Sequence, residues 1–194
     1  MKDKHLVEEF TGREELLRGK FLHVVRDTVR LPNGNSATRE FVLHPGAVAV
    51  VPLLDDGRLV LERQYRHAAG QVVIEIPAGK VDPGEGALVC GQRELLEETG
   101  CVAREWAYAF TVHPTVSYAD EALQVWFARG LEMKKAQLDQ DEFLEVFTAT
   151  VDEFLGWCRD GSIIDSKTLA AALWIQNVVA GHWKLDWQTP SAAP

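Results

Sequence analysis

The 194-residue chain is short of cysteine, with three, and of basic residues, with 20 Lys and Arg against 29 Asp and Glu. Cys90, Cys101 and Cys158 show no metal-ligand spacing and are odd in number, which argues against a zinc site and against a disulfide framework. Cys90 and Cys101 stand among apolar neighbours and read as buried, inert thiols. A net charge of −9 argues against a groove for nucleic acid or another polyanion. It leaves an anionic small substrate open, because a divalent cation reverses the local field. No stretch approaches the about 18 uninterrupted apolar residues of a membrane helix, and residues 1–5 hold no apolar signal core. The expected address is a reducing cytoplasm, with neither membrane nor nucleic acid as a partner.

What is present is ordinary for a globular protein: 46% hydrophobic and 25% charged residues, in a length that fits one domain with a small extra layer. Residues 1–16 are polar, show no period and are expected to fray or to pack only on a partner. Phe21–Leu31 and Thr38–Leu43 read as strands around Pro32-Asn33-Gly34, since Asn-Gly accepts positive φ. A second hairpin is expected from Ala47–Leu54 and Arg58–Tyr65 around Asp55-Asp56-Gly57, followed by a strand at Val72–Ile76. Pro83-Gly84-Glu85 opens a helix to about Thr99, which Gly100 ends. Further strands fall at Trp106–His113, Ala122–Arg129 and Glu145–Thr150. Two helices close the chain, Val151–Arg159 and Lys167 to about Ala180, the second capped by Ser166. Strict βαβ alternation is absent, so the class is α+β, an α/β/α sandwich with a mixed sheet. Residues 1–45 are expected as an N-terminal antiparallel β layer and 46–194 as the main domain.

The informative stretch starts at Gly79 and Glu85 and runs into Arg93-Glu94-Leu95-Leu96-Glu97-Glu98-Thr99-Gly100. On a helix, Glu94 lies three residues from Glu97 and four from Glu98, so three carboxylates crowd one face. Such crowding is repulsive, and a hard divalent cation with oxygen ligands relieves it. Leu88 and Leu95 lie on another face with Gly91 between them, and that face should be buried. Arg93 is placed to reach back to Glu85. A solvated acidic surface is the alternative for the glutamates, but it needs neither the glycines nor the arginine.

Gly79, Glu85, Arg93-Glu94-Leu95, Glu97-Glu98 and Gly100 together resemble the Nudix box, with Cys101 in its final aliphatic slot as a soft departure. The resemblance implies a loop–helix–loop binding Mg²⁺ or Mn²⁺ in the Nudix fold. By position it implies the Ala78 carbonyl, Glu94 and Glu98 as metal ligands, Glu97 as a further ligand or base, and Glu85–Arg93 as a structural ion pair. The implied chemistry is hydrolysis of a nucleoside diphosphate linked to another group.

Around the box, Arg63-Gln64-Tyr65-Arg66, Glu75-Ile76-Pro77-Ala78-Gly79, Asp120-Glu121 and Asp165-Ser166-Lys167-Thr168 are similar to the ADP-ribose pyrophosphatase branch. That branch implies a homodimer with exchanged N-terminal strands, substrate contacts from Arg39, Glu40 and Arg66, and Glu121 at the terminal ribose. Ordinary strand charge is the alternative for Arg39, Glu40 and Arg66. Two departures stand out. The loop from His113 to Glu121 lacks the branch's Ser-Pro-Gly, and Gln140 replaces a glutamate proposed as base in some members. An amide accepts no proton at neutral pH, which leaves Glu142 or Glu97 as the catalytic base.

Three functions follow from the resemblance. The first is Mg²⁺-dependent hydrolysis of ADP-ribose to AMP and ribose 5-phosphate. The second is the same reaction on another nucleoside diphosphate sugar such as GDP-mannose. The third is a catalytically silent nucleotide sensor, which the intact box disfavours.

Overall fold

A computed structural model describes residues 3–135 and 143–190. The chain divides into two compact units, Met1–Pro45 with Thr115–Ala122, and Gly46–Pro114 with Leu123–Pro194.

The first unit is an antiparallel sheet in the order β1-β2-β3, formed by β1 (Glu9–Arg18), β2 (His23–Arg30) and β3 (Ser36–Leu43). β1 corrects the expectation that residues 1–16 fray or pack only on a partner, since from Glu9 onward they pair with β2 of the same chain. Its side chains are exposed on nearly every position, so no alternation marks it in the sequence. What holds it is the backbone ladder to β2 and a two-pronged ion pair, Arg13 Nε and Nη2 donating to the Asp27 carboxylate at 2.6 and 2.8 Å. The segment 115–122 adds to this unit through backbone bonds between Val42 and both Tyr118 and Asp120, and through the Asp120 carboxylate, which accepts from the His44 amide at 2.7 Å.

The second unit is built on a mixed sheet. Its strands are β4 (Ala47–Leu53), β5 (Leu59–Arg66), β6 (Gln71–Glu75), β7 (Ala78–Lys80), β8 (Cys101–Val112), β9 (Leu123–Met133) and β10 (Leu144–Ala149). The order is β10-β5-β4-β9-β8, with β6 paired to β5 and β7 to β4. β4 and β9 run parallel; the other pairs are antiparallel. The expected hairpin of β4 and β5 opens at once, for only Leu53 and Leu59 pair. β7 takes the other end of β4, aligning Ala47 with Lys80, Val48 with Gly79 and Ala49 with Ala78. β5 in turn pairs with β6 and β10.

β4 is buried along almost its whole length, and its side chains alternate between two cores. Val48 and Val50 pack with Cys90, Leu95, Cys101 and Trp106 on the face covered by α1 (Ala87–Thr99). Ala47, Ala49 and Val51 pack with Phe154, Ile163, Ala171 and Ile175 on the face covered by α2 (Val151–Asp160) and α3 (Ser166–Val179). Helices on both faces of one sheet make the expected α/β/α sandwich. Gly91 lets α1 approach, for a Cβ there would meet Val48 at 3.1 Å and Trp106 at 3.4 Å.

Two helix starts differ from expectation. α1 begins at Ala87 rather than at Pro83, because Gly84 adopts φ 83° and turns the chain before any helix forms. α3 is capped by Asp165, whose carboxylate accepts from the Thr168 amide, and not by Ser166. The end of α1 is as expected: Gly100, at φ 71°, returns its amide to the Leu96 carbonyl.

Candidate active site

β7 and α1 carry the box. Gly79 lies against Glu94 so closely that a Cβ on residue 79 would fall 1.8 Å from Glu94 Oε1, so only glycine leaves room for that carboxylate. One residue earlier, the Ala78 amide donates to Glu98 at 3.0 Å. Two carboxylates from one helix face are thereby brought against consecutive residues of one strand. Glu98 is buried, the Glu94 side chain is 12% exposed and that of Glu97 is 37% exposed, a gradient from core to surface.

Arg93 does more than the sequence implied. Its Nε and Nη2 donate to Glu85 at 2.9 and 3.0 Å, the expected structural pair, and Nη2 also reaches the Lys80 carbonyl at 3.1 Å. Its Nη1 donates to Glu94 at 2.7 Å and to Glu97 at 3.0 Å. Part of the repulsion assigned to a cation is therefore relieved by Arg93. Among the described residues, no three His, Cys, Asp or Glu side chains are gathered as a ligand set. Glu85 precedes the helix, where its carboxylate also accepts from the Asp82 amide. The Arg93 guanidinium holds the Glu85 carboxyl down at about 2, and the Glu85 carboxylate in turn raises Arg93. Cys90, buried beneath this loop, is pushed up to about 12 by burial, which suits an inert thiol.

The remaining expected residues are spread over both units. In the first, Arg39 pairs with Glu8 and donates to the Thr38 carbonyl, Glu40 accepts from Arg26 at 2.6 and 2.9 Å, and Glu121 is half-buried after the 114–118 turn. The Arg39 and Glu40 pairs are what ordinary strand charge would make. In the second, Arg66 forks onto Glu75, Nε at 2.7 Å and Nη2 at 2.8 Å. Gln140 and Glu142 lie outside the described residues.

Glu75 and the Asp165–Thr168 segment, noted in the sequence only for their resemblance, meet in a buried ion-pair cluster. Glu75 is buried at 2% exposure and accepts from Lys167, which Asp165 holds in turn, and Asp165 also accepts from the Thr168 hydroxyl. Burial pushes the Glu75 carboxyl up, but Arg66 and Lys167 outweigh it and hold the group below the ordinary carboxylate range. A signal was present: a single acid inside Val72-Val73-Ile74-Glu75-Ile76 needs a partner if the strand is buried.

Comparison with known proteins identifies the family and the fold. A family described as the NUDIX domain matches residues 43–172, and one described as the nucleoside diphosphate sugar hydrolase N-terminal domain matches residues 8–42. An ADP-ribose pyrophosphatase of Bacillus subtilis is 35% identical, over 89% of this chain and 95% of that protein. A methanol dehydrogenase activator of Bacillus methanolicus is 40% identical, over 88% and 94%. A solved structure, an ADP compounds hydrolase, superposes with a TM-score of 0.80 at 22% identity, covering 90% of this chain and 95% of that one, and so shares the fold.

Proposed function

The chain belongs to the NUDIX family of hydrolases, and from that premise we propose that it hydrolyses ADP-ribose to AMP and ribose 5-phosphate with Mg²⁺ as cofactor. The close approach of Gly79 to Glu94, beside the Ala78–Glu98 hydrogen bond, carries the reading. A glycine kept free of Cβ leaves space at the carboxylate of Glu94. Carboxylate oxygens with a neighbouring main-chain carbonyl are the donor set that a hard divalent cation takes.

The Ala78 carbonyl, Glu94 and Glu98 would hold Mg²⁺, with Mn²⁺ as a possible substitute and Glu97 as a further ligand. When bound, such a cation polarises phosphate oxygens and acidifies water. Arg93 pins the helix to the preceding loop through Glu85, and its Nη1 keeps Glu94 and Glu97 in place until a stronger partner arrives. Proton abstraction from the attacking water falls to Glu97 or Glu142. Arg66 presents a guanidinium suited to a phosphate. Arg39 and Glu40 would add contacts to the nucleotide and Glu121 to the terminal ribose.

A homodimer assembled through the N-terminal strands completes the reading. Phe10, Leu17 and Phe21, each more than half exposed, give the first unit apolar surface for a second copy. The free thiols of Cys90, Cys101 and Cys158 suit a reducing cytoplasm.

Product analysis on a panel of diphosphates with Mg²⁺ tests the proposal. AMP and ribose 5-phosphate are expected from ADP-ribose at the highest rate. Much faster hydrolysis of GDP-mannose or of a dinucleotide polyphosphate would overturn it.

A further inference from the structure

We propose that Lys167 is a positioning residue for substrate binding, acting through Glu75 on Arg66. The inference rests on the reading of Arg66 as a phosphate-binding residue. Lys167 itself is too buried to meet a substrate, its side chain being 9% exposed.

A buried lysine is costly and needs a reason. Neutralising Glu75 is not sufficient, for Arg66 already does so with two hydrogen bonds. The fork sets the carboxylate's plane relative to the guanidinium, but it does not anchor the pair to the rest of the fold. A carboxylate offers about four lone-pair sites, and Lys167 Nζ takes a further one on Glu75 Oε2. Lys167 is in turn held by Asp165 Oδ2 at 3.0 Å. The same Asp165 oxygen accepts from the Thr168 amide at 3.0 Å and from its hydroxyl at 2.5 Å. The Thr168 hydroxyl oxygen accepts from the Ile76 amide at 3.1 Å. The first turn of α3 thus grips the end of β6 twice, at Glu75 and at Ile76, immediately before Pro77-Ala78-Gly79.

The consequence falls on Arg66, whose side chain is 43% exposed. Glu75 occupies the Nε–Nη2 edge, and among the described residues Nη1 donates to nothing, leaving it to meet an anion. Two other carboxylates, Glu62 and Glu98, also attract the guanidinium. A Glu75 free to rotate would let Arg66 swing towards them and withdraw Nη1 from the anion. Lys167 removes the freedom. An Asp-Ser-Lys-Thr helix start is therefore part of how the chain aims an arginine two strands away.

Kinetics of Lys167→Met on ADP-ribose with Mg²⁺ test this. KM is expected to rise about tenfold, the worth of one charge-assisted hydrogen bond, with kcat changed by less than about threefold. Combined with Arg66→Lys, which already lacks the fork, Lys167→Met should add little further to KM. A spectroscopic reading needs no substrate: the Arg66 Nε–H resonance, protected in the wild type, should exchange too fast to observe in Lys167→Met. If Lys167→Met does not fold, Lys167→Gln, which keeps a donor but not the charge, is read the same way. An unchanged KM with an unchanged Arg66 resonance would overturn the proposal, as would additive effects in the double variant. Failure of the functional reading shows instead in the wild type, as a preference for another diphosphate sugar. The same variants are then compared on that substrate.

Discussion

Gly79 and Glu94 compete for one volume: the strand passes so near the helix that a single added methyl would lie 1.8 Å from the glutamate's Oε1. The obstructed atom belongs to the end of a flexible side chain, so it would yield where backbone would not.

Gly79→Ala should consequently fold and fail. The Glu94 carboxylate swings aside, and activity is expected to fall at least about hundredfold, in line with losses from misplaced catalytic groups. Circular dichroism should be unchanged. Activity within a factor of two of wild type would show that the carboxylate's position is immaterial.

Glu98→Gln isolates charge from shape. The amide oxygen still accepts from the Ala78 amide, preserving the 3.0 Å contact, while the negative charge is gone. Turnover should drop by about two orders of magnitude or more, with Mg²⁺ binding by calorimetry weakened in step. Undiminished activity removes Glu98 from the metal site. The parallel pair Glu97→Gln and Glu142→Gln assigns the base: the variant that flattens the alkaline-rising limb of the pH–kcat profile lacks it.

Stability at low pH should depend on Glu85. Its carboxyl lies near 4.5 ordinarily and about 2 in the folded chain, lowered chiefly by Arg93. A depressed folded value means the stabilisation is present above about pH 4.5 and is lost as pH falls from there towards about 2. Metal-free wild type should lose thermal stability across that window, and Glu85→Gln should lose less. Parallel curves for the two would place the acid sensitivity elsewhere.

Sedimentation should report a dimer, and Phe10→Glu with Leu17→Glu should shift it towards monomer. These side chains are 58% and 51% exposed in the single chain. A wild type that sediments as a monomer at micromolar concentration contradicts assembly through the N-terminal strands.

Much of this was legible in the sequence. The glycine–glutamate–arginine spacing located the box, because a motif confined to one loop and one helix is encoded by local geometry alone. Period and turn chemistry likewise placed β2, β3 and β10 to within a residue or two. β1 escaped since it is exposed on both sides, and a strand with no buried face leaves no alternation to read. β7 escaped for another reason: three residues are too few to show a period, and only the edge of β4 makes them a strand.

The same division runs through the site. By itself the sequence determined that Glu94, Glu97 and Glu98 share a helix face and that Arg93 can reach Glu85, since both follow from helical spacing and side-chain length. Only the tertiary structure decided that Gly79 must lack a Cβ, that Arg93 also holds Glu94 and Glu97, and that Lys167 joins Arg66 on one buried carboxylate. Those contacts arise where strands and helices far apart in the chain meet, and no local periodicity records who will be opposite whom.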